Sequence, residues 1–199
     1  MSKPKIGIII STTRQSRLGH RPAEWILHLA GARGDADYEI VDLRDYPMAL
    51  FDAPMSPRFA PPEGEAAMRW AAKIAELDGY IFVTAEYNRS ISAALKNALD
   101  HVYHEPARKP AAFVGYGAVG GARAVEHLRL MAIELSMAPI KAAVHVGMEP
   151  FLGMLQQGKD FADYEHLGQS AATMLDELAW WTKVLRSGRS VADMLENAA

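Results

Sequence analysis

The sequence predicts an α/β fold: a doubly wound, five-stranded parallel sheet in the strand order 2-1-3-4-5, with helices on both faces. Three observations carry this expectation. Five short β-rich runs alternate strictly with helix-patterned segments, the arrangement that parallel β-α-β connections require. The first run, residues 5–11 (KIGIIIS), is almost continuously β-branched, as a strand buried on both faces demands. The chain has 199 residues, of which 50% are hydrophobic and 23% charged. That suits one large domain over residues 1–199 with a full core, and excludes a disordered chain.

The remaining strands are expected at residues 38–43 (YEIVDL), 79–84 (GYIFVT), 111–116 (AAFVGY) and 140–146 (IKAAVHV). Helices are expected at 22–32, 62–77, 92–104, 122–137 and 163–186, each with apolar residues three and four apart. Leu128, Met131, Ala132 and Leu135 show the pattern. Residues 47–62 hold five prolines and read as an irregular loop rather than an interdomain linker. The tail after Gly188 reads as a short amphipathic helix or a frayed end. In this strand order a ligand crevice opens at the C-terminal strand ends, near the switch between the first and third strands. The loops after Ser11, Thr84 and Tyr116 are therefore the ones that carry chemistry.

Composition narrows the function. There are 21 Lys and Arg against 24 Asp and Glu, a net charge of −3, which disfavours a general nucleic-acid binder. No apolar stretch approaches the ~18 residues of a membrane span, and no targeting segment is visible, so a cytoplasmic protein is expected. The absence of cysteine excludes disulfides, thiol redox chemistry, Cys-ligated zinc and protein-held iron–sulfur clusters. Any redox work must fall to a bound cofactor.

The first loop, residues 11–19 (STTRQSRLG), offers four hydroxyls and two guanidiniums, with no acidic residue anywhere in residues 1–23. Hydroxyls, backbone N–H groups, a helix start and arginine together make an anion site. The GK[ST] ending of a triphosphate loop is absent, so a monophosphate fits better. Plain helix capping with surface arginines is the other reading of the same residues. The second loop, residues 84–92 (TAEYNRSIS), brings an aromatic, an amide and hydroxyls to the opposite side of the crevice. Asn88 tolerates left-handed backbone angles, so its peptide can present N–H groups to a planar ligand, and Ser90 or Ser92 caps the next helix. The third loop, residues 115–123 (GYGAVGGAR), matches G-x-G-x-x-G but lacks the acid ~20 residues on that a dinucleotide fold requires. It reads as a close-approach loop or as simple turn chemistry. His101 and His104, spaced i,i+3 beside Glu105, are a weak candidate for a metal site. They more simply supply polar contacts at a helix end.

Glu86-Tyr87-Asn88, followed by Leu95-Lys96-Asn97-Ala98-Leu99-Asp100 and then by Gly115-Tyr116-Gly117 with Gly120-Gly121, resembles the NADPH-dependent FMN reductase family of flavodoxin-like proteins. That family includes quinone, azo-dye and chromate reductases. Ser11-Thr12-Thr13-Arg14 and Ser16-Arg17 match its phosphate loop, and the resemblance covers about residues 5–146. It implies that Ser11, Thr12 or Thr13, Arg14, Ser16 and Arg17 hold the FMN phosphate. It further implies that Glu86, Tyr87, Asn88 and Ser90 edge the isoalloxazine, and that Tyr116, Gly117 and Gly120 border it on the other side. Ala85 departs from the family, where proline is common, and so does Arg89, where the residue is small or aromatic.

The implied function is hydride transfer from NADPH or NADH, through bound FMN, to a quinone, free flavin or similar small-molecule electron acceptor. No catalytic side chain is required, because the flavin carries the chemistry. A flavodoxin-like electron carrier and a flavin- or nucleotide-binding module without turnover are the alternatives. A carrier would want a more acidic docking surface than a net charge of −3 supplies. Arg17, Arg89 and Arg123 are all candidates for a 2′-phosphate of NADPH. The resemblance also implies a homodimer or tetramer, with Leu95, Leu99, Val102, Tyr103, Trp180 and Trp181 as apolar candidates for the interface or for ordinary core. Trp180 and Trp181 lie ~100° apart on a helix, so only one of them faces the core.

Overall fold

The computed structural model describes residues 2–196. Five parallel strands, β1 (Lys5–Ile10), β2 (Asp37–Asp42), β3 (Gly79–Ala85), β4 (Pro110–Tyr116) and β5 (Ala138–Val146), form one sheet in the order β2-β1-β3-β4-β5. The helices are α1 (His20–Gly31), α2 (Glu65–Glu76), α3 (Ala93–Asp100), α4 (Ala122–Glu134), α5 (Met148–Gln156) and α6 (Glu165–Glu196). The expected flavodoxin-like sheet and its strand order are observed.

The register explains why β1 carries no polar face. Ile8 pairs with Ile40 of β2 on one side and Ile81 of β3 on the other. Ile6, Ile8 and Ile10 face α1 and α6, packing with Val83, Val114 and Leu178. Ile9 faces the other way, into a second core with Trp70, Phe82, Leu95, Phe113 and Leu128 beneath α2, α3 and α4. Each face of the sheet therefore has its own apolar layer, as a doubly wound sheet requires.

Several expected boundaries move. The third expected helix ends at Asp100 and not at His104, and Leu95, Leu99 and Val102 are core residues rather than surface ones. α5 was not among the expected helices. Pro150 sits in the first turn, where its missing N–H costs nothing. Gly153 is required by packing: a Cβ there would lie 1.8 Å from the Tyr164 hydroxyl. α6 runs on through Gly188 as one 32-residue helix. Its far half is anchored by Arg186, which donates to the Ser2 carbonyl, and by Arg189, which donates to Arg108 O and the Asp78 carboxylate. The last three residues of the expected tail lie outside the described residues. Trp180 is 58% exposed, while Trp181 packs on the core and meets it edge-on. Among the described residues no helix is long and apolar enough to cross a membrane.

Candidate functional site at the carboxyl ends of the strands

β1 delivers the chain to Ser11. The Ser11 N–H donates to Val83 O at 3.1 Å, and the Ser11 carbonyl accepts from the Ser92 hydroxyl at 2.5 Å. Ser92 Oγ also accepts from the Leu95 N–H at 3.1 Å. Ser92, not Ser90, is thus the cap of α3, and it fastens that cap to the end of β1. Ser11 and Thr12 are fully buried. Thr12 Oγ1 lies 3.3 Å from the Tyr116 hydroxyl, whereas Ser11 Oγ has no partner among the described residues. The Tyr164 and Thr182 hydroxyls share this unpaired state, and a buried hydroxyl left unpaired costs about 1–3 kcal/mol. Beyond it Thr13, Arg14, Gln15 and Ser16 are exposed, and the Arg14 guanidinium sits 5.6 Å from the centroid of the Tyr87 ring.

Arg17 points the other way. Its guanidinium donates to Thr12 O at 2.7 Å and forks onto both carboxylate oxygens of Asp42 at the end of β2. The Asp42 hydrogen bonds raise the Arg17 pKa above its ordinary value. Burial works against the Asp42 charge, but Arg17 and the Arg44 N–H together keep its carboxyl below the usual range. The expected phosphate ligand is therefore engaged by Asp42, and it braces the loop from behind.

β3 ends at Ala85, and the following turn is tight. The Tyr87 N–H donates to Ser90 O at 2.9 Å and the Ser90 N–H to Tyr87 O at 3.0 Å. Asn88 (φ 50°) and Arg89 (φ 68°) between them are both left-handed, the pattern of a type I′ hairpin turn. The Glu86 N–H donates to Tyr116 O at 3.1 Å, which ties the loops after β3 and β4 together without the family's proline. Only the N–H groups of Asn88 and Arg89 are left over in this turn among the described residues. The Glu86 carboxylate faces inward to Arg123 and the first turn of α4. The Ser90 hydroxyl pairs with His127 Nδ1 at 3.0 Å.

The glycines of the third loop serve mainly its own packing. A Cβ on Gly121 would lie 2.6 Å from Tyr116 N, and one on Gly120 would lie 2.8 Å from His145 Cβ. Both residues have φ near 70°, and the Gly120 carbonyl lies 2.9 Å from His145 Nδ1. Gly117 (φ 140°) differs, since the space where its side chain would stand holds nothing closer than Glu86 Cβ at 3.6 Å. The Tyr116 side chain is 7% exposed and lies under the first loop against Thr12 and the start of α1.

The structure gives three residues of the α3 segment a different use. Asn97 donates to Ala49 O and accepts from the Phe51 N–H, both at 2.8 Å. His101 Nε2 lies 3.2 Å from Ala49 O and His104 Nε2 3.0 Å from Arg58 O. These three side chains moor the proline-rich loop to α3 and the turn after it. Among the described residues no cluster of three His, Asp or Glu is placed to hold a metal ion. Between the moored loop, the first loop and α3 lies a crevice of about 340 Å³, bordered by Thr13, Arg44, Tyr46, Met48, Ala94 and Asn97.

The donor set fits FMN. The exposed side of the first loop presents hydroxyls, N–H groups and Arg14, and the neighbouring Asp42 carboxylate is held by Arg17. Comparison with known proteins agrees. The family described as NADPH-dependent FMN reductase matches residues 4–150. An NAD(P)H-dependent FMN reductase of Schizosaccharomyces pombe is 35% identical over 171 residues, 83% of this chain and 84% of the relative. A 2-hydroxy-1,4-benzoquinone reductase of a Burkholderia species is 33% identical over 132 residues, 63% of this chain and 68% of the relative. A flavoenzyme NAD(P)H:(acceptor) oxidoreductase from Paracoccus denitrificans has the same fold, with a TM-score of 0.69, 21% identity, and coverage of 90% of this chain and 97% of that one. With the family match spanning most of the sequence and the fold and donor set in agreement, the chain belongs to the NADPH-dependent FMN reductase family.

Proposed function

We propose that this chain, working as a single domain, holds FMN with its phosphate in the loop of residues 11–17 and its ring between the turn at 87–90 and the loop at 117–120. It oxidises NAD(P)H and reduces a small acceptor, a quinone or free flavin. The observation that carries the reading is the exposed donor set of Thr13, Arg14 and Ser16 at the carboxyl end of β1, with the Asp42 carboxylate held by Arg17. When bound, FMN would supply the two-electron chemistry between NAD(P)H and the acceptor.

The chain's own residues bind and orient. Ser11, Thr13, Arg14 and Ser16 meet the phosphate, and Thr12 and Arg17 hold the loop in shape. The free N–H groups of Asn88 and Arg89 face the polar edge of the ring, and Gly117 leaves room beside it. Glu86 and Tyr116 keep the two ring loops in register. Of the three arginines considered for a 2′-phosphate, Arg17 and Arg123 are ion-paired. Arg89 has no ion-pair partner among the described residues, which supports it as the residue that favours NADPH. We place the protein in the cytoplasm as a homodimer or tetramer, with the exposed Trp180 as one candidate contact.

The test is an absorption spectrum of the protein reconstituted with FMN, before and after anaerobic NADPH. A flavin band that bleaches on addition and returns with a quinone is the expected result. Protein that stays colourless overturns the proposal. Bound flavin that NAD(P)H never bleaches returns the function to an electron carrier.

A further inference from the structure

One side chain outside every motif hydrogen-bonds to the first loop. Arg44 stands in the short 3-10 turn Leu43–Asp45 that follows β2, and its N–H donates to Asp42 Oδ1 at 2.9 Å. From there its guanidinium reaches back to three consecutive carbonyls. Nε donates to Thr13 O at 3.3 Å, and Nη2 donates to Arg14 O and to Gln15 O, the latter at 3.2 Å. A trans peptide points its carbonyl and its N–H in opposite directions. Drawing the carbonyls of Thr13, Arg14 and Gln15 onto one cation therefore turns the N–H groups of Arg14, Gln15 and Ser16 to the opposite side. Among the described residues none of those three N–H groups meets a protein acceptor. Three successive N–H groups aimed one way form an anion-binding nest.

We propose that Arg44 is a positioning residue that sets this nest, and through it the preference of the protein for a phosphorylated flavin over riboflavin. The inference rests on the FMN reading above and deepens it. Asp42 couples the two supports, since it holds Arg17 with its carboxylate oxygens and places Arg44 through the same Oδ1. The loop is thus fastened at Thr12 O by Arg17 and at the next three carbonyls by Arg44. The phosphate side is left free of both guanidiniums and lined by N–H groups, hydroxyls and Arg14. Lysine cannot replace Arg44, because a point charge on a flexible stem does not span three carbonyls as a planar fork does.

The test measures Kd for FMN and for riboflavin by flavin fluorescence quenching, in the wild type, Arg44→Met and Arg44→Lys, with the melting temperature of each apoprotein alongside. Arg44→Met is expected to raise the FMN Kd about tenfold or more while leaving the riboflavin Kd within about twofold. Arg44→Lys is expected to resemble Arg44→Met. The 31P resonance of bound FMN should shift in both variants. Three results overturn the inference: unchanged FMN affinity in Arg44→Met, wild-type FMN affinity in Arg44→Lys, or equal loss of FMN and riboflavin with a lowered melting temperature. A wild type that binds FMN no better than riboflavin overturns the phosphate reading itself, a result distinct from any failure confined to the Arg44 variants.

Discussion

Glu86 accepts a hydrogen bond from Arg123 Nε at 2.6 Å and a second from the Arg123 main-chain N–H at 3.2 Å. The pair joins the loop after β3 to the first turn of α4, where the helix dipole also favours a carboxylate. Burial disfavours the Glu86 charge, but the Arg123 bonds and the helix N–H groups outweigh it, and the pKa lies below its ordinary 4.5. A carboxylate with a depressed folded pKa contributes stability that is present above its unfolded pKa and is lost as pH falls through the folded value. Glu86→Gln should therefore lower the melting temperature by about 2–4 °C at pH 7, equivalent to about 1 kcal/mol. The gap to wild type should close as pH drops below about 4.5. Thermal melts of the two proteins between pH 3 and 7 check this, and a gap that stays constant contradicts it.

Arg89 occupies a left-handed position, φ 68°, where glycine is the comfortable residue. A non-glycine residue there carries about 1 kcal/mol of strain. Arg89→Gly should leave the melting temperature level or raise it slightly. The same change should increase KM for NADPH several-fold with KM for NADH unchanged, because only NADPH carries the 2′-phosphate. Steady-state kinetics with both donors decides the matter. An equal rise in both KM values removes Arg89 from 2′-phosphate recognition.

Asn97 bridges Ala49 and Phe51 and so fixes the proline-rich loop against α3. Asn97→Ala should free the loop while FMN affinity holds, since the Asn97 side chain hydrogen-bonds to Ala49 and Phe51 and, among the described residues, to none of residues 11–17 or 86–90. Hydrogen exchange at residue 51 should quicken, and KM for a quinone acceptor should change more than KM for NADPH. Asn97→Asp keeps the acceptor for the Phe51 N–H but loses the donor to Ala49, so it should fall between the two. Unaltered exchange at residue 51 in Asn97→Ala contradicts the mooring role.

What could be read in the sequence follows from what is local. The β-branched run of β1, the loops at strand ends and the alternation of elements are patterns within a few residues, and they located the sheet order and the crevice. What escaped is tertiary. The resemblance placed Arg17 in the phosphate loop, and nothing in residues 11–19 shows that its guanidinium also pairs with Asp42 on the neighbouring strand. Arg44 carries no motif at all, and only the β1–β2 pairing brings it under the first loop. The demand for glycine at 153 is not visible locally either, because the Tyr164 hydroxyl that requires it is eleven residues away. The glycine loop was found, but its close approaches are to Tyr116 and His145, within the protein itself.

Lys109, just ahead of β4, is 6% exposed, and its ammonium donates to Ile74 O at 2.9 Å and Ala75 O at 2.8 Å, the last carbonyls of α2. Burial, joined by the nearby Arg189 charge, lowers its pKa from 10.5 to about 8, even though the carbonyls and Asp78 favour the charged form. The unfolded chain therefore binds a proton that the folded protein lacks between about pH 8 and 10.5. Stability attributable to this group rises with pH across that window, with a slope of up to about 1.4 kcal/mol per pH unit. Lys109→Met removes the titration and leaves the Tyr80 hydroxyl still donating to Ile74 O. The Tyr80 pKa is raised by burial in both proteins, so its own titration above pH 10 cancels in the comparison. Urea unfolding at intervals from pH 7 to 10.5 should show wild type gaining on Lys109→Met only above about pH 8. Curves that run parallel throughout mean that the buried ammonium is no worse off in the fold than in water.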